Sequence, residues 1–170
     1  EWKEKIKWLF DTRGLNKKLI HAIEQKNLKK VKNILKKPNS TKIINAKNDF
    51  GLTPLFFAIC YGNYEIVQYL LNNGADGNAQ TLMGETPLIV AINSGLHDLA
   101  KLLLTKNVNV NLQSKTGWTA LMSACFAYRS ISEGRGNSTI VEMLLNRNAN
   151  PEIRMHGGAS PLLITAIAKP

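Results

Sequence analysis

The sequence predicts an all-α solenoid of antiparallel helix pairs joined by β-turn fingers, and three observations carry that prediction. Gly51-Leu52-Thr53-Pro54-Leu55 returns as Gly84-Glu85-Thr86-Pro87-Leu88 and as Gly117-Trp118-Thr119-Ala120-Leu121, each step being 33 residues. A second landmark, Ile66-Val67-Gln68-Tyr69-Leu70-Leu71, moves with the first to Leu99-Ala100-Lys101-Leu102-Leu103-Leu104 and then to Ile140-Val141-Glu142-Met143-Leu144-Leu145. A fourth copy of the first landmark, Gly158-Ala159-Ser160-Pro161-Leu162, follows after 41 residues, which is the same period with an insertion of eight. Self-similarity at a fixed period of this length is the mark of stacked repeats.

Each element follows from local rules. Gly51 permits a left-handed turn, Thr53 is suited to cap a helix, and Pro54 is preorganised for its first position, so a short helix runs from there to about Cys60. Ala58, Ala91 and Ala124 recur on that helix, where a small side chain lets neighbouring helices approach. Gly62 and Gly95 turn the chain into a second helix, whose inward face in the first copy reads as Tyr64, Val67, Leu70 and Leu71. Gly74, Asn107 and Asn148 stand at the ends of the second helices, the residue types that best accept a left-handed exit. The stretch that follows is then a reversing turn into the next unit.

This pattern resembles the ankyrin repeat family: Gly-x-Thr-Pro-Leu, an Ala-bearing first helix, Gly, Ile-Val-x-x-Leu-Leu and Gly-Ala-Asp are met by Gly51 to Leu55, Ala58, Gly62, Ile66 to Leu71 and Gly74-Ala75-Asp76. The resemblance divides the chain into an N-terminal amphipathic helix (1–14), with Trp2, Ile6, Leu9 and Phe10 on one face, and a degenerate capping repeat (15–47). Repeats follow at 48–80, 81–113 and 114–154, and a partial one at 155–170. In the capping repeat Leu19, Ala22, Val31, Ile34 and Leu35 align with Leu55, Ala58, Val67, Leu70 and Leu71, with three extra residues in the 36–42 loop. The insertion, residues 129–136, has Gly and Ser without apolar periodicity and is expected to be an exposed, dispensable loop between the two helices of its unit. The His that usually follows Thr-Pro-Leu in this family is replaced by Phe56, Ile89 and Met122.

Composition narrows the function. The chain has 170 residues, is 44% hydrophobic and contains no apolar run long enough to cross a membrane. Residues 1–47 hold 14 Lys/Arg against four acidic residues and so carry the whole formal charge of +10, whereas the rest is balanced. That asymmetry points either to an anionic partner for the N-terminal part or to lysines that solvate an end helix. Cys60 and Cys125 lie about two repeats apart in apolar contexts and are expected to be free thiols of a reducing compartment. The opening ten residues lack a signal-peptide core, and the absence of an initial Met together with a last unit broken in its middle suggests a piece of a larger protein.

No phosphate-binding glycine loop, dinucleotide fingerprint, zinc-protease helix or nucleophile elbow occurs. His21, His97 and His156 fall in separate units, neither Cys has a His at ligand spacing, and the carboxylates are scattered, so no catalytic residue, metal or cofactor is expected. What remains is a surface. The resemblance places Phe50, Leu52, Phe56, Cys60 and Tyr61 on a concave groove, followed by Met83, Glu85, Ile89, Asn93 and Ser94 and then Thr116, Trp118, Met122 and Phe126. Aromatic and Met side chains at such positions have the composition of an interface core. For Phe56, Ile89 and Met122 the other reading is packing between units. The expected function is a non-enzymatic protein-binding module, a cytoplasmic monomer that acts alone, as a host-directed effector or within a larger protein. The alternatives are a module that binds nucleic acid or acidic membrane through residues 1–47, and the targeting domain of an enzyme.

Overall fold

The computed structural model of the chain describes residues 13–36, 40–130 and 135–167. The expected amphipathic helix of residues 1–14 lies almost wholly outside them. The described residues form α1 (Lys17–Glu24), α2 (Leu28–Leu35), α3 (Ser40–Ile44), α4 (Pro54–Cys60), α5 (Tyr64–Asn72), α6 (Pro87–Asn93), α7 (His97–Leu104), α8 (Ala120–Ser130), α9 (Arg135–Asn146) and α10 (Pro161–Ile167). The helices stack in two layers. α1, α4, α6, α8 and α10 follow one another in the first, α2, α5, α7 and α9 in the second, and each of these second-layer helices also packs on the first-layer helix that precedes it. Between the layers one continuous core is filled by Leu19, Ile23, Leu55, Ile59, Ile66, Leu70, Leu88, Ile92 and Leu103, all at most 2% exposed. Leu55, Leu88 and Leu121 are buried, whereas Leu162 at the same motif position on the last helix is 75% exposed because no described helix follows α10.

The fingers are tight turns of one design. Gly51, Gly84, Gly117 and Gly158 each donate a backbone hydrogen bond of 2.8–2.9 Å to the residue three before, with φ between +75° and +83°. This is a β-turn closed by a left-handed glycine. Neighbouring fingers are tied backbone to backbone: Leu82 N donates to Phe50 O (2.8 Å), Lys115 N to Met83 O (2.9 Å) and His156 N to Thr116 O (3.0 Å).

Side chains repeat the tie. The Gln80 amide donates to Gly84 O (2.7 Å) and across to Gln113 O (3.0 Å), and Gln113 does the same to Gly117 O (2.9 Å) and Arg154 O (3.1 Å). Below the fingers, Asn45, Asn78 and Asn111 accept from Asp76 N, Asn109 N and Asn150 N of the following unit at 2.7–2.8 Å. Each unit therefore satisfies the exposed backbone of its neighbour, which makes the array cooperative.

Several local expectations are corrected. The inward face of α5 is Ile66, Val67 and Leu70, whereas Tyr64 is 43% exposed and Leu71 half-buried. Val67 and Leu70 are shared with the expected face, Ile66 replaces Tyr64 and Leu71 on it, and Asn63 caps the helix by accepting from Ile66 N at 3.1 Å. The 36–42 segment is no plain loop: Ser40 opens α3, which packs on α2 and buries Ile44. Residues 129, 130, 135 and 136 are helical, so the insertion lengthens α8 to 11 residues and α9 to 12, against 7 and 8 in the preceding pair. Ala127 and Arg129 are good helix formers, and Gly136 falls in a first turn. Residues 131–134 of the expected loop lie outside the described ones.

Left-handed exits occur at Gly74 and Asn148, but not at Asn107, where the Thr105 hydroxyl takes the Leu102 carbonyl at 2.7 Å and ends α7 differently. Lys26 adopts φ +53° at the position of Gly62 and Gly95, an exception that its residue type conceals.

Thr86 and Thr119 cap their helices through Ile89 N and Met122 N, but Thr53 makes no capping bond and its hydroxyl is buried without a partner. Thr53→Val is therefore expected to leave urea stability unchanged or raise it, while Thr86→Val lowers it by about 1 kcal/mol. Equal losses in the two variants would show that the Thr53 hydroxyl is bonded in solution.

Candidate functional site: the finger and first-helix face

The fingers and the first-layer helices form one face of the array. Because consecutive fingers are joined residue to residue, side chains 33 positions apart stand side by side and make rows. The outermost row is Phe50, Met83 and Thr116; the next is Leu52, Glu85 and Trp118; a lower one is Cys60, Asn93 and Phe126. Met83 (66% exposed) and Phe126 (52% exposed) are open to solvent, Asn93 and Ser94 are exposed, and Phe50, Leu52, Cys60, Tyr61, Glu85 and Trp118 are half-buried. Thr116 is exposed and its carbonyl holds the following finger.

The row between these is different. Phe56, Ile89 and Met122 are at most 1% exposed, so they are removed from the candidate partner-contacting set and belong to the packing between units. Each follows the motif Leu on a first-layer helix that packs on its neighbours in the layer, and none is open to a partner. Their apolar character replaces the family's polar contact at that position.

Trp118 does not project freely. Its indole N–H donates to the Ser123 hydroxyl at 2.7 Å, and its ring meets Phe126 edge-on, centroids 6.0 Å apart at 77°. Ser123 is fully buried, so truncating Trp118 would orphan that hydroxyl and lower stability as well as any affinity. Trp118 and Phe126 thus form a pre-set aromatic ledge, one side chain holding the other in place. Sequence reading missed Ser123, whose only signal was a polar residue on an otherwise apolar helix face. It also missed Leu82, which is 53% exposed beside Met83 at the turn tip and lies outside the repeating motif.

Electrostatics on this face are set by burial. Tyr61 donates to Glu24 Oε1 at 3.4 Å, and its phenol is pushed up to about 12, first by burial and then by the Glu24 charge. The Glu85 carboxyl is raised above its ordinary value by burial alone. Among the described residues no Lys or Arg lies within 4 Å of that carboxylate, and none of the residues in the rows is basic. By contrast the lysines at 17, 18, 26, 29, 30, 32, 36, 42 and 47 are all exposed on the first units. Among the described residues no group of three or more His, Cys, Asp or Glu could hold a metal ion, and no helix is long and apolar enough to cross a membrane. Cys60 and Cys125 are both free thiols.

A Glu pKa raised on folding means the folded state holds the proton more tightly. That contribution is fully present below the ordinary value of 4.5 and is lost as pH rises through the raised one. Glu85→Gln, which never ionises, is thus expected to be more stable than wild type near pH 7, with the advantage shrinking as pH falls through the raised value toward 4.5 and absent below it. Urea midpoints at the two pH values check this. A variant less stable near neutrality would mean that an unseen cation already compensates the carboxylate.

Stacked helix pairs, tied through hydrogen-bonded fingers and presenting one continuous face, define a helical repeat solenoid. The ankyrin repeats family matches the chain in three overlapping stretches, residues 3–81, 19–114 and 78–155, and the chain belongs to that family. It is 41% identical over 58 residues to an ankyrin repeat protein of Rickettsia bellii, covering 32% of this chain and 34% of that protein. It is also 39% identical over 66 residues to a tyrosine-protein kinase of Hydra vulgaris, covering 39% of this chain and 9% of the kinase. The chain thus spans about a third of one relative and less than a tenth of the other. Ankyrin repeats are in general modules of protein–protein interaction.

Proposed function

We propose that the chain is a non-enzymatic module that binds a partner protein on its finger and first-helix face. The observation that carries this reading is the exposed apolar set of Met83 and Phe126 beside the half-buried Trp118, on a face whose scaffold is otherwise satisfied within the array. Large apolar side chains at turn tips and helix ends add nothing to the core, and rigid aromatic and Met anchors rimmed by polar groups are the usual make-up of binding hot spots. Leu52 and Asn93 flank them, and Phe50 and Tyr61 extend the face toward the first unit.

The test is capture from cell lysate with wild type beside the double variant Met83→Ser/Phe126→Ser. Both side chains are largely in solvent and the main loss is the Trp118–Phe126 ring contact, so stability is expected to stay within about 1.5 kcal/mol of wild type while capture falls about tenfold or more. Undiminished capture by a folded double variant would contradict the assignment of this face. High salt adds a discriminator: binding through the exposed lysines of residues 17–47 weakens steeply with salt, whereas binding to the apolar anchors does not.

A further inference from the structure

Glu85 is out of place on thermodynamic grounds. It occupies the position of Leu52 and Trp118 in the second row, half-buried between two apolar neighbours, with no cation within salt-bridge distance among the described residues. A partly desolvated, unpaired carboxylate destabilises the chain that carries it, and the chain gains nothing internal in return. The remainder of the face has no basic group in its rows, and Glu24 adds a second carboxylate at its near end beside Tyr61. The base of the fingers around Glu85 is therefore acidic and apolar, with the exposed Lys115 at the turn tip beyond it, on a chain whose formal charge is +10.

Resting on the groove reading above, we infer that the partner segment lying in this face carries a Lys or Arg over Glu85 and a bulky apolar side chain on the Trp118 and Phe126 ledge. Glu85 and Trp118 are equivalent positions on adjacent units, and first-layer helices pack about 8–10 Å apart. A polyproline-II segment rises about 3.1 Å per residue with three residues per turn, so side chains three positions apart return to one face about 9 Å from each other, and the basic and apolar residues stand about three positions apart. The cation would be held by a charge-assisted bond to a carboxylate already stripped of part of its water, and the apolar residue by the edge and face of two fixed rings. An acidic or purely apolar segment would leave Glu85 repelled or unpaired, so this one side chain selects as well as binds.

The experiment is selection from a displayed library of random peptides of about 12 residues on the wild-type chain. Synthetic copies of the enriched peptides are then titrated against wild type, Glu85→Gln, Glu85→Lys and Met83→Ser/Phe126→Ser, with circular dichroism confirming that each variant is folded. The expected result is enrichment of Lys or Arg about three positions from a large apolar residue, with affinity reduced about tenfold in Glu85→Gln and more in Glu85→Lys. Enriched peptides that lack a basic residue, or that bind Glu85→Gln as tightly as wild type, overturn the inference. If those same peptides are lost by Met83→Ser/Phe126→Ser, the groove reading stands while its proposed selectivity falls. No enrichment, or enrichment indifferent to every variant, overturns both.

Discussion

Phe56→Ala is expected to lower the unfolding free energy by about 3–5 kcal/mol, the loss typical of truncating a fully buried Phe. Phe56 is 1% exposed and stands among the largest fully buried side chains of the array. Its helix, α4, contacts both α1 and α6 in the first layer, so the cavity would open where units meet. Because repeats draw stability from their neighbours, the loss should appear in one cooperative transition. Urea unfolding followed by circular dichroism measures it. A loss under about 1 kcal/mol, together with a drop in partner capture, would return Phe56 to the binding face.

Gly117→Val should lower stability by about 2–3 kcal/mol through two separable effects. The first is conformational: φ is +83°, a region that costs a β-branched residue on the order of 1–2 kcal/mol. The second is steric. A Cβ at Gly117 would lie 2.6 Å from Met155 Cα and 2.9 Å from His156 N, in the backbone of the next finger. That finger must retreat, which weakens the bond from His156 N to Thr116 O and adds about 1 kcal/mol. Gly74 is the internal control, with φ +89° and nothing within 4 Å of its Cβ position. Gly74→Val therefore carries the strain without the clash. Equal losses in the two variants would show that finger stacking contributes nothing to stability.

Most of the fold could be read because the period exposes it. Leu55, Leu88 and Leu121, and the small Ala58, Ala91 and Ala124, recur in register and all prove buried. What could not be read is what a residue type leaves ambiguous. Phe56, Ile89 and Met122 are apolar whether they face a partner or a neighbouring helix, and only the closure of the next unit decides. Thr53 and Thr86 share a motif, yet one caps and the other leaves its hydroxyl unpaired, a matter of side-chain rotation. At the ends of the insertion, residues 129, 130, 135 and 136, Gly and Ser suggest a loop where flanking Ala and Arg continue a helix. The inter-unit ties of Gln80, Gln113, Asn45, Asn78 and Asn111 were present as polar residues at the repeat spacing, but a search for apolar periodicity passes over them. At the candidate site, the composition was legible and the geometry was not: nothing in the sequence indicated that Trp118 would be held by Ser123 and Phe126.

The central claim is that a partner protein occupies the finger and first-helix face, and site-specific photo-crosslinking tests it most directly. A photoreactive residue is placed at Met83 or Phe126 on that face, or at Gln68, exposed on the second-layer helix α5. Each chain is irradiated in the presence of the partner recovered by capture. The account predicts adducts from positions 83 and 126 and none above background from 68. Adducts from position 68 alone, or equally from all three, would contradict it.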